Sequence, residues 1–186
     1  MKISILLPYK ENFTPNYAGA VSLFVNDTTR ESVYKKTTHI FGNTKYKKYL
    51  STNYTNLIIK KNFFLSTNKQ YVENFLQHEE EVNSDLIEVH NRPSYIKIIK
   101  KRFNNKLFLY FHNDPLQMNG SRLVTERIKL LNDVDKILFN SEWSRKRFFF
   151  DFYNSEYLLR KTAVCFQSSS KVKIDFNKKK KIIFFV

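Results

Sequence analysis

An α/β fold, with one parallel sheet and helices on both of its faces, follows from three observations. Short continuous apolar runs recur along the chain, segments with helical periodicity separate them, and polar turns close several of the runs. Two of these turns carry the most information: His90-Asn91-Arg92-Pro93 and His112-Asn113-Asp114-Pro115, each directly after an apolar run. Turns at the ends of parallel strands are where α/β proteins place their chemistry.

Lys2 to Pro8 is the first apolar strand. The polar segment Tyr9 to Tyr17 follows, and Ala18-Gly19-Ala20 leads into a helix with Val21, Phe24, Val25 and Thr28 at helical spacing. Thr38 to Phe41 reads as a second strand, Asn43 to Tyr54 as a loop with a short helix, and Leu57-Ile58-Ile59 as a third strand. Thr67 and Gln70 have the spacing of a capping box for a helix through about Val82. Tyr71, Phe75 and Leu76 share its apolar face, and Glu79 to Glu81 are expected in solvent near its end.

Asp85 to Val89 is the next strand, and Pro93 opens a helix to about Arg102 because its fixed φ and missing N–H suit a first helical position. Leu107 to Phe111 is another buried strand. Ser121 is expected to cap a helix carrying Leu123, Ile128, Leu130 and Leu131; Lys136 to Phe139 is a strand; Ser141 caps a basic helix through Phe152. Thr162 to Phe166 closes the series. Such alternation implies right-handed crossovers between parallel strands.

The 186 residues suffice for one domain with a sizeable core, and 42% hydrophobic residues exclude a disordered chain. The segment 1–167 is read as that domain, 168–180 as a Ser- and Lys-rich linker, and the apolar run 181–186 as the first strand of a further domain. A strand added to the edge of the same sheet is the other reading of that run. One cysteine, Cys165, excludes an intrachain disulfide and fits a reducing compartment. The four histidines have no Cys or His partner at metal-ligand spacing, so no metal site is expected. No run approaches the length of a membrane span, and the short apolar start lacks the features of a signal peptide.

A formal charge of +15 attracts phosphates, anionic headgroups or acidic glycans, although a bias toward lysine on a solvated surface produces the same number. The basic helix Arg145-Lys146-Arg147 with Phe148-Phe149-Phe150, and the group Lys97, Lys100, Lys101 and Arg102, fit either contact with an anionic membrane or a solvated face above a core. A nucleic-acid-binding or other anionic-polymer module is the alternative function, motivated by charge and interleaved aromatics. It lacks an aromatic RNP pattern, a GXXG loop or a zinc knuckle. No G-x-G-x-x-G follows the first strand, which disfavours a dinucleotide-dependent dehydrogenase, and no G-x-S-x-G elbow supports a serine hydrolase.

Four stretches together resemble the N-terminal half of the family 4 (group 1) glycosyltransferases of GT-B fold: the first strand with its loop and Gly19, Asp85 to Pro93, Leu109 to Pro115, and Asp135 to Trp143. The resemblance implies a Rossmann-like domain that faces a second one across an active-site cleft. It implies transfer of a hexose from a nucleotide-sugar donor to a hydroxyl acceptor, with retention and without a required metal or other cofactor. The acceptor would be a glycan or lipid-linked sugar in cell-surface polysaccharide or lipopolysaccharide synthesis. The setting would be cytoplasmic, with peripheral contact at the inner face of the plasma membrane, and no nucleic-acid partner.

By the same resemblance His112 is the cleft histidine that contacts the transferred sugar and orients the reacting centre, a role that suits imidazole because it both donates and accepts at neutral pH. Gly19 and Ala20 lie where the family brings backbone amides to the donor phosphates. The family often has two adjacent glycines there, whereas this chain has Ala18-Gly19-Ala20. His90, Asn91, Arg92, Asn113 and Asp114 are the acceptor-side candidates. Glu142 is read as helix electrostatics rather than chemistry. The isolated chain is expected to be inactive, because most donor contacts belong to the other half.

Overall fold

Strand alternation divides the core into two, one on each face of the sheet. The computed structural model describes residues 1–59, 65–152 and 159–167. Among the described residues the strands are β1 (Ile3–Leu6), β2 (Thr38–Gly42), β3 (Tyr54–Asn56), β4 (Leu86–His90), β5 (Lys106–Phe111), β6 (Lys136–Phe139) and β7 (Thr162–Val164). The helices are α1 (Ala20–Glu31), α2 (Thr67–Val82), α3 (Pro93–Lys100), α4 (Val124–Asp133) and α5 (Glu142–Phe148). All pairings are parallel, in the order β3-β2-β1-β4-β5-β6-β7. The order reverses beside β1, so the chain diverges to left and right between β1 and β4 and leaves a crevice at their C-terminal ends.

One face of the sheet carries the larger core. Leu6, Ile87, Val89, Leu109, Phe111, Ile137 and Phe139 pack there against Tyr71 and Phe75 of α2, Tyr95 and Ile99 of α3, Leu131 of α4 and Phe148 of α5. The opposite face has the smaller core: Ile5, Leu7 and Ile40 meet Val21 and Val25 of α1, with Phe13 and Tyr54 stacked beside them. Each fully buried Leu, Ile or Phe contributes about 1.5–3 kcal/mol. The helices therefore cover both faces, four on one and α1 on the other, as the alternation predicts.

Several local expectations are corrected. The third strand is Tyr54–Asn56, three residues before the apolar run at 57–59, because Tyr54 stacks on Phe13 and Leu57 turns into the other core. The loop before it contains no helix. Ser66, not Thr67, caps α2 by accepting from the Lys69 N–H, while Gln70 reaches back to the Leu65 carbonyl. Glu79 is fully buried rather than solvated and accepts from both the backbone N–H and the hydroxyl of Ser84, fixing the turn into β4.

Ser121 does not cap α4. Its hydroxyl bonds the Pro115 carbonyl, and the helix starts at Val124 with Glu126 accepting from the Leu123 N–H. Arg127 faces the core in place of Ile128, and α5 ends at Phe148. The linker 168–180 and the run 181–186 lie outside the described residues.

Candidate functional site

The turns after β4 and β5 meet at the C-terminal edge of the sheet, next to the reversal in strand order. His90 is paired in register with Tyr110, and His112 follows two residues later, just past the end of β5. Strand alternation also puts Glu88 on the face of His90. His90 Nδ1 and His112 Nε2 are 2.8 Å apart, and His112 Nδ1 is 2.9 Å from Gln167 Nε2. With the Gln167 amide donating, one proton arrangement satisfies the row. His112 Nε2–H donates to His90 Nδ1, and His90 carries its proton on Nε2, which is 2.7 Å from Glu88 Oε1. That last contact is close but off the line of a formed hydrogen bond.

The rings are locked by packing as well as by bonds. Tyr110 stacks on His112 with centroids 4.3 Å apart, and Phe24 of α1 lies edge-on to His112 at 5.0 Å. The Tyr110 hydroxyl is anchored to the Cys165 carbonyl, and its burial raises its pKa. Burial, with the neighbouring His90 adding to it, pushes the His112 pKa down to about 3. His112 is therefore neutral at physiological pH, and among the described residues its Nδ1 lone pair is met by the exposed Gln167 side chain.

Asn91 joins this row to a neighbouring cavity. It adopts a left-handed backbone, φ 52°, which Asn tolerates better than most residues. Its Oδ1 accepts from the His112 N–H at 2.8 Å and its Nδ2 donates to Asn113 Oδ1 at 3.3 Å. Strain of this kind is common at sites that need a fixed geometry. Asn140, at the end of β6, donates to the His112 carbonyl and accepts from Ser144 of α5. Asp114 caps the short 3-10 turn at Pro115–Gln117 and lies 3.3 Å from Arg147. Asn91, Arg92, Asn113 and Asp114 all line one cavity of about 430 Å³ beside the start of α3.

Gly19 is the N-cap of α1 and Ala20 its first residue. Two of the amides there are already engaged, the first of them the Gly19 N–H, which donates to the Asn12 carbonyl at 3.1 Å. Glu11 accepts from the Ser22 N–H at 3.1 Å, and a Cβ at position 19 would coincide with the Glu11 carboxylate. A carboxylate of this chain thus occupies the anion-attracting end of α1. Glu142 is exposed and pairs with Arg145 at 2.8 Å, within the first turn of α5.

The structure brings His90 and His112 into direct contact and puts Asn91 between them and the cavity; Gly19 and Ala20 start α1, one turn before the Phe24 that packs on His112. Sequence reasoning missed Glu11, Phe24, Glu88, Arg122 and Gln167. Only Glu88 had a signal, its spacing of two from His90 on a strand. Among the described residues, no helix is long and apolar enough to cross a membrane.

No protein-family model and no curated protein matches the sequence. Solved structures do match in fold. Anabaena HepE in complex with UDP and glucose superposes with a TM-score of 0.59 at 13% identity, over 91% of this chain and 45% of that one. Sucrose-phosphate synthase from Thermosynechococcus elongatus gives 0.58 at 13% identity, over 88% of this chain and 47% of that one. The chain therefore spans about half the length of the structures it matches. The likeness shows the fold: a Rossmann-like parallel sheet matching the N-terminal domain of GT-B proteins.

Proposed function

We propose that this chain is the acceptor-side half of a GT-B glycosyltransferase of the family 4 (group 1) type. It serves transfer of a hexose from a nucleotide-sugar donor to a hydroxyl of a glycan or lipid-linked acceptor, with retention and without a required metal. The observation that carries the reading is His112, a neutral imidazole locked at the end of β5 beside the strand-order reversal. The match to a protein solved with UDP and glucose supports it.

In this reading a sugar hydroxyl takes the place of Gln167 and donates its O–H to His112 Nδ1. The bond to His90 keeps the ring from turning, so the hydroxyl is held at a fixed position, which is how orientation lowers a barrier. Glu11 must leave the α1 amides before donor phosphates can use them. The complementary half supplies the remaining donor contacts, and the isolated chain binds without turnover.

The setting is cell-surface polysaccharide or lipopolysaccharide assembly, at the cytoplasmic face of a membrane. Trp143 and Phe150 are 57% and 54% exposed, beside the exposed Lys146 of α5, and this basic-aromatic patch suits peripheral contact.

The test is transfer by the intact protein that contains this chain, purified from its source cell and offered a panel of labelled nucleotide sugars with surface-glycan acceptors. We expect incorporation that falls by about 100-fold or more in His112→Ala. No incorporation from any donor, with tight binding of single-stranded nucleic acid by the chain at physiological salt, would install the anionic-polymer module in its place.

A further inference from the structure

We infer that the acceptor carries a phosphate group and that Arg92 and Arg122 bind it in the cavity beside α3; the inference rests on the reading of this chain as the acceptor-side half. The cavity, about 430 Å³, is of the size that takes a small ligand such as a phosphorylated monosaccharide. Its wall is polar. Asn68, Asn113, Gln117 and Asn119 surround the two arginines, and Pro93 and Met118 are its apolar members. Such a wall suits a hydrated sugar and offers little to a lipid chain.

The charge is the second part of the argument. Arg102, Arg145 and Arg147 each have a carboxylate partner. Arg92 and Arg122 have none among the described residues. Arg92 donates to the Asn91 carbonyl at 2.7 Å and hydrogen-bonds the Tyr95 side chain, and Arg122 makes a long contact of 3.4 Å to the Gln117 carbonyl. None of these partners carries a negative charge. The one acid on the wall, Asp114, is engaged by Arg147 and by the Leu116 N–H. Two guanidinium groups without a carboxylate partner match a phosphate, which offers several oxygens and up to two negative charges; a carboxylate fills one fork.

The loop that carries Arg122 is held in place. Buried Arg127 donates to the Ser121 and Arg122 carbonyls at 3.3 and 2.7 Å, and to the Phe150 carbonyl at 2.6 Å. Gly120, at φ 92°, lies against the Ser94 backbone at the start of α3, where a Cβ would stand 2.9 Å from the Ser94 nitrogen. This close approach brings Arg122 to the same cavity as Arg92. The bound phosphate is placed next to Asn113 and Asn91, and through Asn91 the acceptor is positioned relative to His112.

The experiment is calorimetric titration of the 186-residue chain with glucose 6-phosphate, glucose, glucuronate and a short-chain prenyl diphosphate. We expect glucose 6-phosphate to bind at least about tenfold more tightly than glucose or glucuronate. Arg92→Gln and Arg122→Gln should each weaken it at least about tenfold, and Lys97→Gln, on the exposed side of α3, should leave it unchanged. Asn119→Asp is the second variant. It sets a negative charge on an exposed wall position without touching the core, and it should weaken phosphate binding while the thermal midpoint holds.

Equal losses in the Lys97 and arginine variants, or no preference for the phosphorylated sugar, would overturn the inference. Tighter binding of the prenyl diphosphate than of glucose 6-phosphate would move the ligand to a lipid-linked phosphate and overturn the choice of a soluble one. The two readings fail separately: phosphate binding without any sugar transfer by the intact protein removes the glycosyltransferase reading alone. Transfer to a neutral acceptor that ignores both arginine variants removes the phosphate site alone.

Discussion

His112 Nε2 lies 2.8 Å from Nδ1 of His90, and the two rings are nearly parallel, 22° between planes. His90 is fully buried while His112 reaches the surface, so one imidazole supports the other from behind. His90→Ala should therefore act through His112. Expected are a stability loss of about 2–3 kcal/mol and a loss of transfer in the intact protein. Denaturant unfolding and the transfer assay measure the two effects, and unchanged transfer would show that His112 needs no support.

The depressed pKa of His112 has a pH consequence. An unfolded histidine titrates near 6.5, whereas folded His112 titrates at about 3. Between these values the unfolded state binds more protons, so stability is complete above about pH 6.5 and falls as the pH drops. At pH 5 the loss is on the order of 2 kcal/mol. His39 is also lowered by burial and contributes in the same direction. Urea unfolding at pH 7 and pH 5 should show the drop, and His112→Gln should remove part of it. A variant with the same pH dependence as the native chain would refute the assignment.

Gly19 and Glu11 should be coupled. Gly19→Ala forces the Glu11 carboxylate off the Ser22 N–H and should lower stability by about 1 kcal/mol. In a Glu11→Ala background the same change should cost much less, since the obstruction has gone. The double-mutant cycle, read by thermal unfolding, gives the interaction directly. Additive effects would mean that the carboxylate moves aside without cost.

The buried Glu79 side chain bonds Ser84 through one carboxylate oxygen, and the other oxygen has no partner among the described residues. Glu79→Ala leaves the Ser84 N–H and hydroxyl unsatisfied and should cost about 2–3 kcal/mol. Glu79→Gln keeps an acceptor and should cost less. Chemical denaturation of both variants decides, and equal losses would point to the charge rather than the acceptor.

The sequence by itself determined the alternation of strands and helices, the parallel sheet and the two histidine turns, because buried strands and amphipathic helices write their periodicities locally. It also located the N-termini of α3 and α5 from Pro93 and Ser141, whose effects are confined to a few residues. Tertiary structure decided what local signals do not encode. The third strand shifted to Tyr54–Asn56 because Phe13, distant in sequence, offers Tyr54 a ring to stack on. Glu79 went inward because Ser84 satisfies it there, although an acidic run reads as solvent-facing.

At the site, the sequence marked His90 and His112 as strand-end residues, while their contact followed from the register of β4 and β5. Gln167, Phe24 and Arg122 reach the site from other elements, and Glu11 reaches the start of α1 across a loop. Residues far apart in the chain meet only when the sheet is assembled, since their proximity is a property of strand order and crossover rather than of any local pattern.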